Sequence, residues 1–346
     1  MSGHEPGATP RSDLEDPARR VAPVVRLAPA KLNLSLAVIG RRPDGFHELH
    51  SVMVTLGLAD RLSLATATGP TDTLHVAGFD AGPVADNLVL RAIAAAREAV
   101  GAGWAGPAGP PPVLAARLEK RVPVAAGLAG GSSDAAAALD GALEAWGASL
   151  SIHERLRVAG RLGSDVPFFL AGGAALVEGR GETVTPLRGI VGDPPGVLLV
   201  TPGLAVPTPA VFAAYAAGAG ADRGGAARLS SSHLADELRA GLTARALVDR
   251  AGVLAVANDL LPAAASIVPE LPAARRALGR WLGRPVGLSG SGPSLWVLYP
   301  SLDEAQTAAT DLRAAVASGE LTLPGGEPFI AATTITSQQP TDRSVQ

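Results

Sequence analysis

The centre of the chain carries the glycine-rich segment Pro123-Val124-Ala125-Ala126-Gly127-Leu128-Ala129-Gly130-Gly131-Ser132-Ser133, which joins a predicted strand to a predicted helix. Glycines at such a junction let the backbone approach a ligand closely and turn successive N–H groups toward it. The free N–H groups and partial positive charge of a helix N-terminus favour an anion. Ser132 and Ser133 add hydroxyls for phosphate oxygens or for a magnesium ion that bridges them. The segment therefore predicts a phosphate site.

Another interpretation of this segment is a purely structural turn. The segment lacks the Lys-Ser or Lys-Thr pair of a Walker A motif, which excludes an ordinary P-loop. With 41 glycines in the chain, a Gly-Gly pair is unremarkable, and glycine before a helix also serves as an N-cap. The shape of the loop alone leaves both interpretations open.

The composition is that of a globular protein and excludes several classes of function. At 346 residues the chain is long enough for two domains. The net charge of −3, without a basic block, weighs against a nucleic-acid partner. No apolar run reaches the roughly 18 residues that span a bilayer. The absence of cysteine excludes disulfides, thiolate nucleophiles and Cys-ligated metals. It also suits a reducing compartment, and we expect a cytoplasmic protein.

The two ends of the chain and the lysines give further expectations. Residues 1–20 and 337–346 are polar and are expected to be disordered tails, and the N-terminal one lacks the apolar stretch of a secretory signal. Lys31 and Lys120 are the only lysines among many arginines. A lysine is a compact charge whose pKa can move, so it can mark a position where arginine would not serve. For Lys120 we expect an ordinary surface position.

Hydrophobic periodicity and turn residues predict alternating strands and helices. The strands at 24–27 and 32–39 are expected to be joined at Ala28-Pro29-Ala30, Asp86 can cap the first helix, and 101–112 and 218–227 are expected loops. A concentration of Gly and Pro places the domain boundary between 187 and 196. Strands are expected at 24–27, 32–39, 51–56, 61–66, 113–118, 196–201, 286–288, 294–298 and 329–335, and helices at 88–100, from Ser133 or Asp134 to 146, and at 153–162, 209–217, 232–246, 270–282 and 302–317.

Three segments resemble the motifs of the GHMP kinases, a superfamily that includes galactokinase, homoserine kinase and mevalonate kinase. They are Pro29-Ala30-Lys31-Leu32-Asn33-Leu34, the glycine-rich segment, and Gly287-Leu288-Ser289-Gly290-Ser291-Gly292-Pro293-Ser294. The resemblance extends from about Val24 to Ile335. It implies an α+β fold of two domains: a ribosomal-protein-like α/β domain that binds ATP at 21–190, and a ferredoxin-like α+β domain at 191–336.

The turn Arg42-Pro43-Asp44-Gly45-Phe46-His47-Glu48-Leu49 is similar to one branch of this superfamily. That resemblance implies transfer of the γ-phosphoryl group of ATP, with Mg²⁺, to the 2-hydroxyl of a cytidine diphosphate-linked methylerythritol, in the non-mevalonate route to isoprenoid precursors. Lys31 and Asp165 match the catalytic pair: the Asp would accept the hydroxyl proton while the Lys keeps it ionised. Without the resemblance, Lys31 would be interpreted as a surface salt bridge and Asp165 as a cap.

The resemblance also assigns the remaining site residues. The nucleotide-binding residues are expected to be Asn87, Pro123, Val124, Ala125, Ala126, Gly127, Leu128, Ala129, Gly130, Gly131, Ser132 and Ser133. The substrate-binding residues are expected to be Asn33, Phe46, His47, Thr208, Phe212, Gly290, Ser291 and Gly292, and no metal ligand is assigned. Phe46 and His47 match an aromatic–His pair that packs on and hydrogen-bonds cytosine, with Phe212 on the opposite side of the base. Phe46 stands where most relatives have Tyr. Ala129 stands where many relatives have Gly, and Ala125 and Ala126 stand where some do. A positive φ at one of these alanines would put nucleotide affinity in doubt.

Two alternatives differ from this assignment. Another GHMP kinase, such as a homoserine or mevalonate kinase, would have no purpose for the cytidine turn. A non-catalytic binding protein could share the fold, although the pairing of Lys31 with Asp165 favours an enzyme. We expect a small-molecule substrate, no nucleic-acid or membrane partner, and a monomer or weak homodimer.

Overall fold

The computed structural model describes residues 22–101, 104, 106, 109–219 and 224–336. The predicted disordered tails, most of the loop at 102–108 and residues 220–223 lie outside the described residues. Within the described part, no helix is both long enough and apolar enough to cross a membrane.

The N-terminal half is built on a six-stranded sheet whose order is β3-β4-β2-β5-β6, with β1 paired to β2. The strands are β1 (Val24–Arg41), β2 (His47–Thr66), β3 (Thr73–Gly78), β4 (Leu114–Lys120), β5 (Ala174–Gly179) and β6 (Thr183–Leu187). The breaks predicted within β1 and β2 are wrong, because each segment forms one long strand. The register of β1 against β2 shifts at Pro29/Lys31 and at Asn33/Ser35. Such bulges accommodate a proline, which cannot donate a ladder hydrogen bond, without ending the strand.

Helices of the N-terminal half pack against this sheet and against one another. They are α1 (Leu88–Gly101), α2 (Gly130–Trp146), α3 (Ile152–Leu162) and α4 (Val166–Ala171). The core between α1, α2 and the strands is rich in alanine and leucine, which lets α2 pack closely. The first helix is capped by Asn87, whose Oδ1 accepts from the amide of Val89 at 2.9 Å, and not by Asp86 as predicted.

The C-terminal half contains a four-stranded antiparallel sheet of order β10-β11-β8-β12. Its strands are β8 (Gly196–Thr201), β10 (Gly287–Leu288), β11 (Leu295–Tyr299) and β12 (Phe329–Thr334), and a separate short pair joins β7 (Ile190–Val191) to β9 (Leu242–Thr243). The helices are α5 (Thr208–Ala214), α6 (Gly224–Ala240), α7 (Ala244–Asp249), α8 (Ala251–Leu254), α9 (Leu261–Ile267), α10 (Glu270–Leu282) and α11 (Leu302–Ser318). Helices connect β8 to β10 and β11 to β12, which is the ferredoxin-like arrangement, so the α+β fold class is confirmed.

The predicted loop at 218–227 and helix at 232–246 are partly wrong. A π-type turn at Tyr215–Ala219 follows α5, and α6 already begins at Gly224. The helix ends at Ala240 because Gly241 adopts φ +94°, a left-handed conformation that stops an α-helix. Thr243 then caps a new helix by accepting from the amide of Ala246.

The start of α2 is a second difference from the sequence-based expectation. The helix begins at Gly130, about one turn before Ser133, and its N-cap Ala129 adopts φ +52° without a side-chain cap. Ala125 has φ +54° and Gly127 φ +76°. Left-handed φ costs a residue with a Cβ about 1–2 kcal/mol. The loop therefore holds two alanines in conformations that suit glycine, and the first amides of α2 have no side-chain cap.

A buried ionic cluster joins the sheet to α2 beneath the glycine-rich segment. Lys120 was expected at the surface, but it is 4% exposed and its Nζ donates to Asp60 and, at 2.7 Å, to Asp134. Asp60 Oδ1 also accepts from the backbone amides of Arg121 and Val122. Burial raises the pKa of Asp134 to about 7, against an ordinary value of 3.8. The single Lys120 ammonium thus donates hydrogen bonds to two buried carboxylates.

Replacing Lys120 should destabilise the fold strongly. Lys120→Met leaves two carboxylates buried without their cation, and we expect the free energy of unfolding in urea to fall by about 3–5 kcal/mol. The control is Arg61→Met, which removes an exposed ion pair with Glu119 and should cost at most about 1 kcal/mol. Equal, small effects of both variants would contradict a structural role for the cluster.

The raised pKa of Asp134 predicts a pH dependence of stability. Because the folded pKa of about 7 lies above the ordinary 3.8, the contribution of Asp134 to stability is fully present below about pH 4 and is lost as the pH rises through 7. Asp134→Asn should therefore reduce the decline in unfolding free energy across this range. Asp303→Asn, at an exposed position of α11, is the control and should leave the decline unchanged.

The left-handed alanine at the helix start predicts a stabilising substitution. Ala129→Gly removes the Cβ strain and should raise the free energy of unfolding by about 0.5–1 kcal/mol, measured by urea denaturation. The matched control is Ala126→Gly in the same loop, because Ala126 is buried and is not among the residues with positive φ. That control should lower stability, and a gain of similar size in both variants would refute the strain.

Candidate active site

A cavity of about 920 Å³ lies between the glycine-rich segment, β1, the turn at 42–46 and the start of α5. Most of the residues expected at the site line it: Lys31, Asn33, Phe46, His47, Asn87, Pro123, Val124, Ala125, Ala126, Gly127, Ala129, Gly130, Gly131, Ser132, Asp165, Thr208, Phe212, Gly290 and Ser291. Leu128, Ser133 and Gly292 do not line it. The Leu128 side chain lies in the core, and Ser133 Oγ is buried without a hydrogen-bond partner.

Lys31 projects into this cavity from β1, between the two bulges. Its side chain is 4% exposed, so it is not part of a surface salt bridge. The backbone amide of Lys31 donates to Leu128 O at 3.0 Å, and the ammonium donates to Asn33 Oδ1. Burial lowers the pKa of Lys31, and the Asp165 carboxylate partly offsets this effect. The lysine is thus attached to the glycine-rich segment through the backbone and is electrostatically coupled to Asp165.

Asp165 lies at the start of α4, on the same cavity. It occupies the N-cap position with φ −88°, but its side chain makes no capping hydrogen bond. The carboxylate is therefore not committed to the helix, which removes the ordinary reason for an Asp at this position. Asp165 and Lys31 both border the cavity and interact electrostatically.

The two glycine loops are packed directly against each other. Ser289 Oγ donates to Gly127 O at 2.9 Å, and the amide of Ser294 donates to Ala126 O at 3.2 Å. A Cβ on Gly127 would lie 2.3 Å from Ser289 O, so only glycine fits there. This contact aligns the C-terminal loop with the open end of α2.

Asn258 supports the second loop and was not identified from the sequence. Its Nδ2 donates to Leu288 O at 3.0 Å and to Gly290 O at 2.9 Å, while Oδ1 accepts from Leu260 N at 2.9 Å. The signal that could have revealed it is a polar Asn-Asp pair inside an alanine- and leucine-rich stretch.

The turn at 42–46 brings an aromatic group to the opposite end of the cavity from α2. His47 stacks on Phe212 with ring centroids 5.1 Å apart and an interplanar angle of 29°. Burial, and then the charge of Arg41, lower the pKa of His47, which favours a neutral imidazole with one donor and one acceptor. Phe46 is 49% exposed. The Arg180 guanidinium lies over the Phe46 ring, 5.3 Å from the ring centroid. The sequence motifs do not predict Arg180 as a site residue.

Two further expected residues have partners of their own. Asn87 lines the cavity, but its Oδ1 caps α1, so only its amide nitrogen is available to a ligand. Thr208 Oγ1 and Ser291 Oγ lie 2.8 Å apart and connect the start of α5 to the second glycine loop. The cavity therefore offers free backbone amides and an ammonium at one end, and aromatic surface at the other.

Comparisons with known proteins agree with this arrangement. Residues 87–173 match the model of the GHMP kinases N terminal domain, and residues 236–318 match that of the GHMP kinases C terminal domain. The chain is 36% identical over 291 residues to the 4-diphosphocytidyl-2-C-methyl-D-erythritol kinase of Pelotomaculum thermopropionicum, covering 84% of this chain and 94% of that protein. It is 42% identical over 292 residues to the enzyme of the same name from Streptomyces coelicolor, covering 83% and 91%.

Solved structures give the same result. A crystal structure of a 4-(cytidine 5'-diphospho)-2C-methyl-D-erythritol kinase superposes with a TM-score of 0.64 at 34% identity, covering 90% of this chain and 99% of the other. A homoserine kinase from Cytophaga hutchinsonii reaches a TM-score of 0.63 at only 17% identity, and it shows the fold alone. On sequence, motifs and fold together, the chain belongs to the 4-diphosphocytidyl-2-C-methyl-D-erythritol kinase family of the GHMP kinases.

Proposed function

We propose that this chain phosphorylates the 2-hydroxyl of 4-diphosphocytidyl-2-C-methyl-D-erythritol with ATP, in the non-mevalonate route to isoprenoid precursors. The observation that carries the proposal is one continuous cavity that joins the glycine-rich start of α2, the Lys31–Asp165 pair and the aromatic turn. The first feature suits a polyphosphate, the second a hydroxyl that must lose its proton, and the third a nucleobase.

The cytidine end of the substrate is assigned to Phe46, His47 and Phe212. Aromatic rings provide a stacking surface for a base, and a neutral His47 can pair with its hydrogen-bonding edge. Phe46 provides a stacking surface but, unlike a tyrosine, has no phenol hydroxyl. A homoserine or mevalonate kinase would have no use for this end of the cavity.

The phosphoryl transfer itself is assigned to Lys31 and Asp165. The oxygen of the acceptor hydroxyl attacks the γ-phosphorus, and the Asp165 carboxylate takes up the proton of that hydroxyl. The bond between the γ-phosphorus and the β-phosphate oxygen breaks, and ADP leaves. The Lys31 ammonium attracts the Asp165 carboxylate and neutralises charge on the transferred group. Because the transition state of phosphoryl transfer is loose, position and charge contribute more than the basicity of Asp165.

ATP fits the N-terminal end of α2. The first amides of this helix have no side-chain cap, and Gly130, Gly131 and Ser132 border the cavity. Such amides bind phosphate oxygens, and Ser132 adds a hydroxyl. Among the described residues, no cluster of three His, Cys, Asp or Glu side chains forms a metal site. We propose that Mg²⁺ enters on the phosphates of ATP, where it would neutralise phosphate charge.

The protein's setting is part of the same proposal. A small-molecule kinase of this class acts on water-soluble substrates, and a chain without cysteine suits a reducing compartment. We propose a cytoplasmic enzyme that works as a monomer or weak homodimer, without a nucleic-acid or membrane partner.

Substrate selectivity tests the proposal as a whole. We expect ATP consumption with 4-diphosphocytidyl-2-C-methyl-D-erythritol and none above background with homoserine or mevalonate, measured by coupled ADP release. Turnover with homoserine alone would overturn the assignment of the acceptor while leaving the kinase fold intact.

The catalytic pair is tested by single substitutions. Asp165→Asn preserves shape but removes the base, and we expect kcat to fall by about 10²–10⁴-fold with little change in the KM for ATP. Lys31→Ala should lower kcat by a similar factor. Asp140→Asn is the control, since Asp140 pairs with Arg155 on α3 and does not border the cavity. Full turnover in a folded Asp165→Asn enzyme would remove the catalytic assignment.

A further inference from the structure

Ser51 lies directly behind the Lys31–Asn33 pair. It is on β2, is 0% exposed and does not border the cavity. Its hydroxyl donates to the Ser35 carbonyl at 2.6 Å and accepts from Asn33 Nδ2 at 2.8 Å. Asn33 Oδ1 in turn accepts from the Lys31 ammonium. Ser51 thus reaches the reacting end of the site only through Asn33.

The direction of each hydrogen bond in this chain follows from chemistry. The Ser35 carbonyl can only accept, so it takes the single proton of the Ser51 hydroxyl. Ser51 Oγ then has only lone pairs to offer, and the Asn33 side chain must present its NH₂ group to it. The carbonyl end of the Asn33 amide is consequently turned toward Lys31, which can only donate.

We propose that Ser51 is a positioning residue that fixes the orientation of the Asn33 amide and thereby holds the Lys31 ammonium in place for phosphoryl transfer. The proposal rests on the catalytic role of Lys31 proposed above. Without the Ser51 hydroxyl, the NH₂ group of Asn33 is buried without its acceptor. If the amide then rotates, it turns donors toward the ammonium, which repel it. Such a rotation removes the acceptor that fixes the position of the lysine.

A second buried serine provides a matched control. Ser231 on α6 is also 0% exposed, and its hydroxyl donates to Ser35 Oγ at 2.8 Å. Ser35 Oγ is a different atom from the carbonyl that Ser51 uses, so the Ser231 bond does not determine the Asn33 amide. The Ser231 hydroxyl also lies 3.3 Å from the His50 carbonyl, so deletion of either serine hydroxyl removes two buried polar contacts, but only the Ser51 hydroxyl is connected to Lys31.

The orientation of Asn33 can be measured directly. The sequence contains three asparagines, Asn33, Asn87 and Asn258, so selective ¹⁵N-asparagine labelling gives three side-chain amide pairs, assigned by Asn33→Asp and Asn87→Asp. We expect the Asn33 pair to exchange slowly with solvent in the wild type and at least about tenfold faster in Ser51→Ala. In Ser231→Ala the Asn33 pair should keep its wild-type shift and exchange rate.

Kinetics then separate a positioning role from a structural one. Ser51→Ala should lower kcat by about tenfold and leave the KM for ATP within about twofold, because the lysine is misplaced while the nucleotide site is intact. Ser51→Thr retains the hydroxyl and should recover most of kcat. Ser231→Ala should leave kcat unchanged even if its melting temperature falls.

The outcomes distinguish this inference from the proposed function. A folded Ser51→Ala enzyme with wild-type kcat and an unchanged Asn33 signal overturns the positioning role, even when Lys31→Ala is inactive. An altered Asn33 signal with unchanged kcat also overturns it, because the amide would then not control the lysine. If Lys31→Ala retains full turnover, the catalytic assignment fails first, and the Asn33 signal still reports whether Ser51 orients the amide. If Ser51→Thr does not fold, Ser51→Ala against Ser231→Ala decides alone.

Discussion

The contact between Gly127 and Ser289 is the constraint on which the site depends. It brings the backbones of the two glycine loops so close that a Cβ on Gly127 would meet Ser289 O at 2.3 Å. Through this contact, β10 and β11 of the C-terminal sheet are held against the loop that starts α2. Lys31 is attached to the same loop through its bond to Leu128 O. The ammonium, the open helix end and the second glycine loop therefore occupy fixed positions relative to one another.

The chain buries both of its lysines, and the different partners of each explain different roles. Lys120 is surrounded by two carboxylates, Asp60 and Asp134, so its charge is compensated and it stabilises the junction of β2, β4 and α2. Lys31 contacts a neutral amide, and the Asp165 carboxylate on the same cavity acts on it electrostatically. An ammonium that is incompletely compensated in a buried site retains the capacity to stabilise a ligand's negative charge. The two lysines of the sequence thus occupy two buried positions that both border the cavity, where carboxylates bind the Lys120 ammonium and a neutral amide binds the Lys31 ammonium.

Local signals in the sequence were sufficient for elements that depend on their own residues. The helix at Glu270–Leu282 and the strand at Gly196–Thr201 coincide with their predictions. The continuity of β1 and β2 was missed because it arises from the pairing of two distant segments, which carries the chain past Pro29 through a bulge. The burial of Lys120 was missed for the same reason, since its partner Asp60 lies on another strand. Periodicity describes one segment at a time and carries no information on such partners.

For the site, motif resemblance predicted residues most of which line the cavity, and the structure adds residues that support them from behind. Asn258 and Ser51 face other protein groups, so no ligand chemistry marks them in the sequence. Ala129 differs from these residues, because the motif resemblance includes it but the sequence does not indicate its φ of +52°. Glycine would adopt this left-handed conformation without the strain that the Cβ of alanine causes. The conformation of the loop is therefore imposed by the packing around Gly127 and by the start of α2, and it is maintained against the preference of the residue that adopts it.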